Sequence, residues 1–160
     1  MSFVFFFSIA VFLLFLLIIN PSDTFRVIGY SMHPSLDPGQ EINIDSEYYN
    51  HNEIARGDIV AVKFKTRDDF LIKRVIALPG DKLEIKDNHL YLNDKLLIEQ
   101  YVSGAQINAT MARVLKSQLE SYNNYVPFNS YVVLGDNRET SFDSKDFGVV
   151  DRFQIVGKAG

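Results

Sequence analysis

Cysteine and tryptophan are absent from the 160 residues, and histidine occurs three times. Without cysteine there is no disulfide framework, no thiol nucleophile and no cysteine-ligated zinc. The absence fits an extracytoplasmic domain but proves no compartment. A surplus of basic charge is lacking too: 16 Lys and Arg stand against 20 Asp and Glu, for a net charge of −4. No basic patch stands out, so a nucleic-acid partner has no electrostatic support. Internal repeats and low-complexity linkers are also missing, and the length allows one domain plus a short leader.

Most prominent is the N-terminus. Phe3 to Ile19 is 17 residues long and apolar except for Ser8, which as a helix would span roughly 25 Å, the short end of a transmembrane segment. A cleavable signal peptide would want a basic n-region, a shorter apolar run and a small-x-small exit. Asn20-Pro21-Ser22-Asp23 follows instead, with Pro21 placed to stop a helix. The expectation is an uncleaved anchor over residues 1–22 and a separate domain over 23–160. The first Lys or Arg is Arg26, so the positive-inside signal is missing. Either a basic leader precedes this start or the domain itself sets the orientation.

Beyond the anchor the pattern is one of short strands. Val60, Val62 and Phe64 alternate with Ala61, Lys63 and Lys65, the period of a half-buried strand. Lys82 to Ile85 and His89 to Leu92 flank Asp87-Asn88 as a hairpin, and Asn93-Asp94 turns the chain again. Met111, Val114, Leu115, Leu119 and Tyr122 recur at helical spacing and predict a short helix near 110–122. Nothing from Ile98 to Pro127 looks catalytic. Ser130 to Leu134 reads as a strand, Gly135-Asp136-Asn137 as a turn and Gln154 to Val156 as a closing strand. The class is mainly β, with one short helical insertion.

The chemistry centres on Ser31. A serine hydroxyl needs a neighbouring base to become a nucleophile. His33, His51 and His89 are scattered and none has an evident acid partner, which disfavours a Ser-His-Asp triad. Lysine can serve only if its pKa falls: at an ordinary ~10.4, roughly one lysine in 2,500 is neutral at pH 7. If Phe70 to Ala77 is a strand, Lys73 shares a face with Leu71, Val75 and Ala77, whereas Lys63 shares one with Lys65. Pattern therefore selects Lys73 over Lys63, although local pattern alone favours an ordinary edge-strand lysine.

Four blocks decide otherwise. In order they are Ser31-Met32-His33-Pro34-Ser35-Leu36, Arg56-Gly57-Asp58-Ile59-Val60, Ile72 to Asp81, and Gly135 to Gly148. Together they resemble the type I signal peptidases, in the Gram-positive pattern, and they span most of the chain after the anchor. The resemblance implies an antiparallel β catalytic domain on a single transmembrane helix, outside the cytoplasmic membrane. It implies Ser31 as nucleophile, Lys73 as general base, Ser141 as the serine that hydrogen-bonds the lysine amine, and Asp143 as support behind it. Met32 and Pro34 would shape the nucleophile loop, and Asp136, Asn137, Arg138 and Lys145 would be structural.

Three departures from the family pattern stand out. Ser35 replaces a common threonine but keeps the hydroxyl. Lys145 stands where many members have arginine, which puts a bidentate salt bridge in doubt. Gly29 takes a position where some members carry an oxyanion-stabilising serine, so the oxyanion hole would rely chiefly on backbone N–H groups, including that of Ser31.

By the same resemblance the substrates are signal peptides of exported preproteins, cut after small residues, with the lipid bilayer and secretion or pilus-assembly machinery as further partners. No metal or organic cofactor is implied. Ser31 stands twelve positions after Ile19, a reach of at most about 43 Å, so it should lie near the bilayer surface. Two competitors remain open. One is a self-cleaving repressor-like domain, which would need a DNA-binding or regulatory N-terminus. The other is a non-catalytic or dedicated assembly factor for surface proteins, whose kind typically lacks the Ser-Lys pair.

Overall fold

The computed structural model describes residues 23–102 and 106–160. The expected anchor lies outside them, and no helix among the described residues is long and apolar enough to cross a membrane. The domain is mainly β. Ten strands run β1 Asp23–Arg26, β2 Glu41–Asp45, β3 Ile59–Lys63, β4 Phe70–Ala77, β5 Leu83–Lys86, β6 His89–Leu92, β7 Lys95–Leu96, β8 Ser130–Leu134, β9 Val150–Asp151 and β10 Ile155–Ala159. Seven form an antiparallel sheet in the order β1-β2-β10-β3-β4-β8-β9, and β5-β6-β7 form a second, small one.

β4 and β8 have the expected bounds, and both are dense in β-branched residues. β3 differs from its expectation. It ends at Lys63, and Val60, Ala61 and Val62 are all buried. Both its faces are covered: Val60 and Val62 pack with Val75, Val133 and Ile155, while Ala61 packs with Met32, Ile44 and Ile72. Ala77 also departs from the expected face. The β4–β8 register shifts between Val75 and Ala77, and the extra residue sends Ile76 and Ala77 together into a third cluster with Leu83, Leu115 and Leu134.

Two tight turns build the small sheet. Asp87 and Asn88, then Asn93 and Asp94, all have positive φ between 49° and 65°, the conformation a two-residue hairpin needs and one that Asn and Asp tolerate. The expected helix is α2, Arg113–Ser121, and only Leu115 and Leu119 within it are buried. Met111, Val114 and Tyr122 face outward, about half exposed, so the apolar stripe is narrower than the spacing suggested. Two further one-turn helices exist, α1 Tyr48–His51 and α3 Ser144–Phe147. Four residues are too few to show a period. Gln154 belongs to a 3-10 turn, not to the closing strand.

Candidate active site

β4 carries Lys73 past the end of β8. Arg74 pairs with Leu134, the last residue of β8, so the chain that continues through Gly135 passes beside Lys73. Over that chain lies the loop bearing Ser31. Met32 anchors the loop by burying its side chain against Ala61 and Ile72, and Leu36 N, donating to Met32 O at 2.9 Å, closes it. The His33–Pro34 peptide is cis, and Pro34 itself is exposed.

These elements bring Lys73 Nζ to 3.0 Å from Ser31 Oγ. The amine also donates to Ile72 O at 2.8 Å. Lys73 is only 2% exposed, and burial lowers its pKa from 10.5 to about 8, with Lys145 and Arg67 pushing the same way and Asp143 and Asp136 opposing. A drop of that size raises the neutral fraction at pH 7 by about 300-fold, to roughly a tenth. Desolvation is the cause, since burial disfavours the charged ammonium.

Gly135 is the point of closest approach. A Cβ there would clash with Ser31 O and Ser141 Oγ, so only glycine lets the two serines converge on this backbone. Asn137 N donates to Ser31 O at 3.1 Å, and Ser141 N donates to Asn137 O at 3.1 Å. Ser141 Oγ is buried and makes no hydrogen bond among the described residues. The expected bond to the Lys73 amine is therefore absent in this state, the amine having taken Ile72 O and Ser31 Oγ as partners.

Asp143 acts on the backbone and on Lys145. Its carboxylate accepts from Gly135 N and Lys145 N, each at 3.0 Å, and caps α3. Lys145 is buried, with Nζ 3.3 Å from Asp143 Oδ1 and 3.6 Å from Asp146 Oδ2, and it donates to Ser141 O at 2.5 Å. The lysine thus keeps an ion pair at this position, as a point charge in place of a fork.

Asp136 receives both arms of Arg74, Nε at 2.9 Å and Nη2 at 2.6 Å. Arg74 Nη2 also donates to Ser35 Oγ at 3.0 Å, tying the nucleophile loop to the turn. Sequence reasoning passed over Arg74 and Gly135. Arginine inside an apolar strand, next to the candidate base, was the available signal for the first.

His33 does have an acid partner, contrary to expectation. Its Nδ1 lies 3.0 Å from Asp37 Oδ1, but the two side chains are 49% and 71% exposed. The bond that Ser31 Oγ makes is to lysine. Gly29 has φ of +79° and open space around it, so a serine there would be strained by its backbone and not by crowding. No group of three or more potential ligands that could hold a metal occurs among the described residues.

The chain as a whole is similar to known proteins. The family described as signal peptidase, peptidase S26, matches residues 1–160. Signal peptidase IB of Staphylococcus aureus is 36% identical over 141 residues, covering 84% of this chain and 73% of the relative. Signal peptidase I of Bacillus licheniformis is 34% identical over 136 residues, with the same coverage. Among solved structures, a signal peptidase I from Enterococcus faecalis aligns with a TM-score of 0.51 and 32% identity, covering 67% of this chain and 97% of that one.

Proposed function

Because the chain belongs to the signal peptidase S26 family, we propose that it is a membrane-anchored serine endopeptidase that removes signal peptides from exported preproteins through Ser31 and Lys73. The observation that carries this reading is the 3.0 Å contact between Ser31 Oγ and an amine whose pKa falls to about 8.

The chemistry is acyl transfer. Neutral Lys73 takes the Ser31 proton as Oγ attacks the scissile carbonyl, and the backbone N–H of Ser31 faces the developing oxyanion. The C–N bond then breaks, the Lys73 proton passes to the leaving amine, and an ester on Ser31 remains. Lys73 next deprotonates a water that attacks the ester, releasing the carboxylate and regenerating Ser31. Ser141 Oγ, buried beside Gly135 and unbonded, is the group available to hold the amine once Ser31 Oγ is acylated. Asp143 acts through Gly135 and Lys145. Asp136, Asn137 and Arg138 hold the turn.

The substrate runs extended along β4. β8 pairs with Arg74, Val75 and Ala77 only, so among the described residues Phe70 to Ile72 pair with β3 on one side and with no strand on the other. A peptide strand can add there. Ile28, Tyr30 and Phe142 are exposed apolar side chains next to the site residues and suit an apolar signal peptide. Residues 1–22 anchor the chain, with the catalytic domain outside the membrane and the cut made after small residues.

The test is cleavage of a preprotein by the full-length chain in detergent or lipid, alongside Ser31→Ala and Lys73→Ala. Cleavage after a small residue, lost in both variants, is the expected result. Cleavage retained in both would sink the mechanism. A folded wild type inactive on several preproteins would favour a dedicated assembly role.

A further inference from the structure

The stretch between β7 and α2 offers no obvious chemistry, yet it sends two side chains to the turn that holds Ser31. Glu99 and Arg138 form a bidentate ion pair, Nη1 to Oε2 at 2.8 Å and Nη2 to Oε1 at 2.6 Å. Their side chains are 1% and 2% exposed respectively. Arg138 Nε donates to Gly135 O at 3.0 Å, and its Nη1 also donates to Gln106 O at 2.5 Å. Tyr101 Oη donates to Glu99 Oε1 at 2.7 Å. The Tyr101 ring lies 4.1 Å from the guanidinium of Arg74, the same arginine that grips Asp136 and Ser35. Both arginines that hold the 135–138 turn therefore lead back to Glu99 and Tyr101.

We infer that Glu99 and Tyr101 are positioning residues for the reaction: they clamp Arg138 and Arg74, fix the Gly135 to Arg138 turn, and through it hold Ser31 in register with Lys73. The inference rests on the Ser31–Lys73 reading. Ser31 O accepts from Asn137 N and would overlap any Cβ at residue 135. Where the turn goes, Ser31 goes. A fully buried ion pair is a weak stabiliser, because desolvating two charges offsets most of their attraction, and apolar side chains of similar size serve a core as well or better. What the charges add is direction: a guanidinium fork fixes the angle as well as the distance of its partner. Burial and the Glu99 carboxylate push the Tyr101 phenol well above its usual range, so it remains a donor wherever the enzyme works.

The experiment compares two variants of the full-length chain on one preprotein. The first replaces both charges, Glu99→Leu with Arg138→Leu; the second, Tyr101→Phe, keeps the ion pair and the ring but removes the hydroxyl. Expected for the double variant is a folded protein whose Tm falls by about 5–10 °C, because Gly135 O and Gln106 O lose their donor, with kcat down on the order of tenfold to a hundredfold and KM within about twofold. Tyr101→Phe should lower kcat by about threefold to tenfold with KM likewise unchanged. Should the double variant fail to fold, Tyr101→Phe decides alone. Folded variants with wild-type kcat, or with KM raised and kcat intact, overturn the inference. Ser31→Ala on the same substrate separates the two failures. If it abolishes cleavage while the other variants match wild type, the positioning role alone is wrong. If it leaves cleavage intact, the dyad and this inference fall together.

Discussion

Lys73 and Lys145 are 2% and 1% exposed; the first bonds Ser31 and the second bonds Ser141, the two serines that meet at Gly135. Their surroundings differ in one respect. Lys145 Nζ has carboxylate oxygens at 3.3 and 3.6 Å. Lys73 Nζ has a carbonyl at 2.8 Å and a hydroxyl at 3.0 Å, and forms no ion pair among the described residues. Burial is thus common to both and the missing carboxylate is what sets Lys73 apart. A buried ammonium with only neutral oxygens beside it has its pKa driven down, as at Lys73. Asp143 illustrates the economy of the arrangement. It pairs with Lys145, yet from farther off it raises the Lys73 pKa, while Lys145 lowers it.

The comparison breaks most severely when a member of the proposed dyad is removed. Ser31→Ala and Lys73→Ala should each lower kcat/KM on the order of 10⁴-fold or more, and the double variant little further, because the two act as a unit. Steady-state kinetics on all three variants checks this. Next, Asp143→Asn strips Lys145 of its nearer carboxylate and leaves a buried ammonium poorly paired, with a loss of about 3–5 kcal/mol in denaturant unfolding. Because Asp143 raises the Lys73 pKa, the same change should move the acid limb of the rate profile below its wild-type position.

Lys73→Met sharpens the contrast in the opposite direction. The folded pKa of about 8 lies below the ordinary 10.5, so between those values the unfolded chain binds the proton more strongly. Wild-type stability therefore rises with pH from about 8 to 10.5, and the full penalty applies below that window. At 1.36 kcal/mol per unit the penalty is about 3 kcal/mol. The inactive Met variant should be more stable at pH 7 by up to that amount and should lose the rise. Lys145→Arg is the mildest change: crowding a filled site should cost about 1 kcal/mol, and the acid limb should stay put because the charge is kept.

Much of this was legible in the sequence because it is local. β4 and β8 declare themselves by apolar runs of β-branched residues, and Asp87-Asn88 and Asn93-Asp94 by turn chemistry. Ordered motifs single out Ser31, Lys73, Ser141 and Asp143; in the structure Ser31 and Ser141 meet at Gly135, Asp143 accepts from its N–H, and Lys73 bonds Ser31. What stayed hidden is long-range or very short. Glu99 meets Arg138 across 39 positions, and no periodicity announces such a pair. Two helices of one turn carry no pattern. The β4 bulge, which moves Ala77 off the Lys73 face, depends on register with β8 and not on β4 itself. Whether Ser141 Oγ touches the amine turned on rotamers that a motif does not specify.

The most direct test is the pH dependence of kcat/KM on a preprotein. The account predicts a rise with pH through one acid limb near about 8, displaced to lower pH in Asp143→Asn. A limb near ~6.5, the ordinary range of histidine, that disappears in His33→Ala would contradict it and return the base to imidazole.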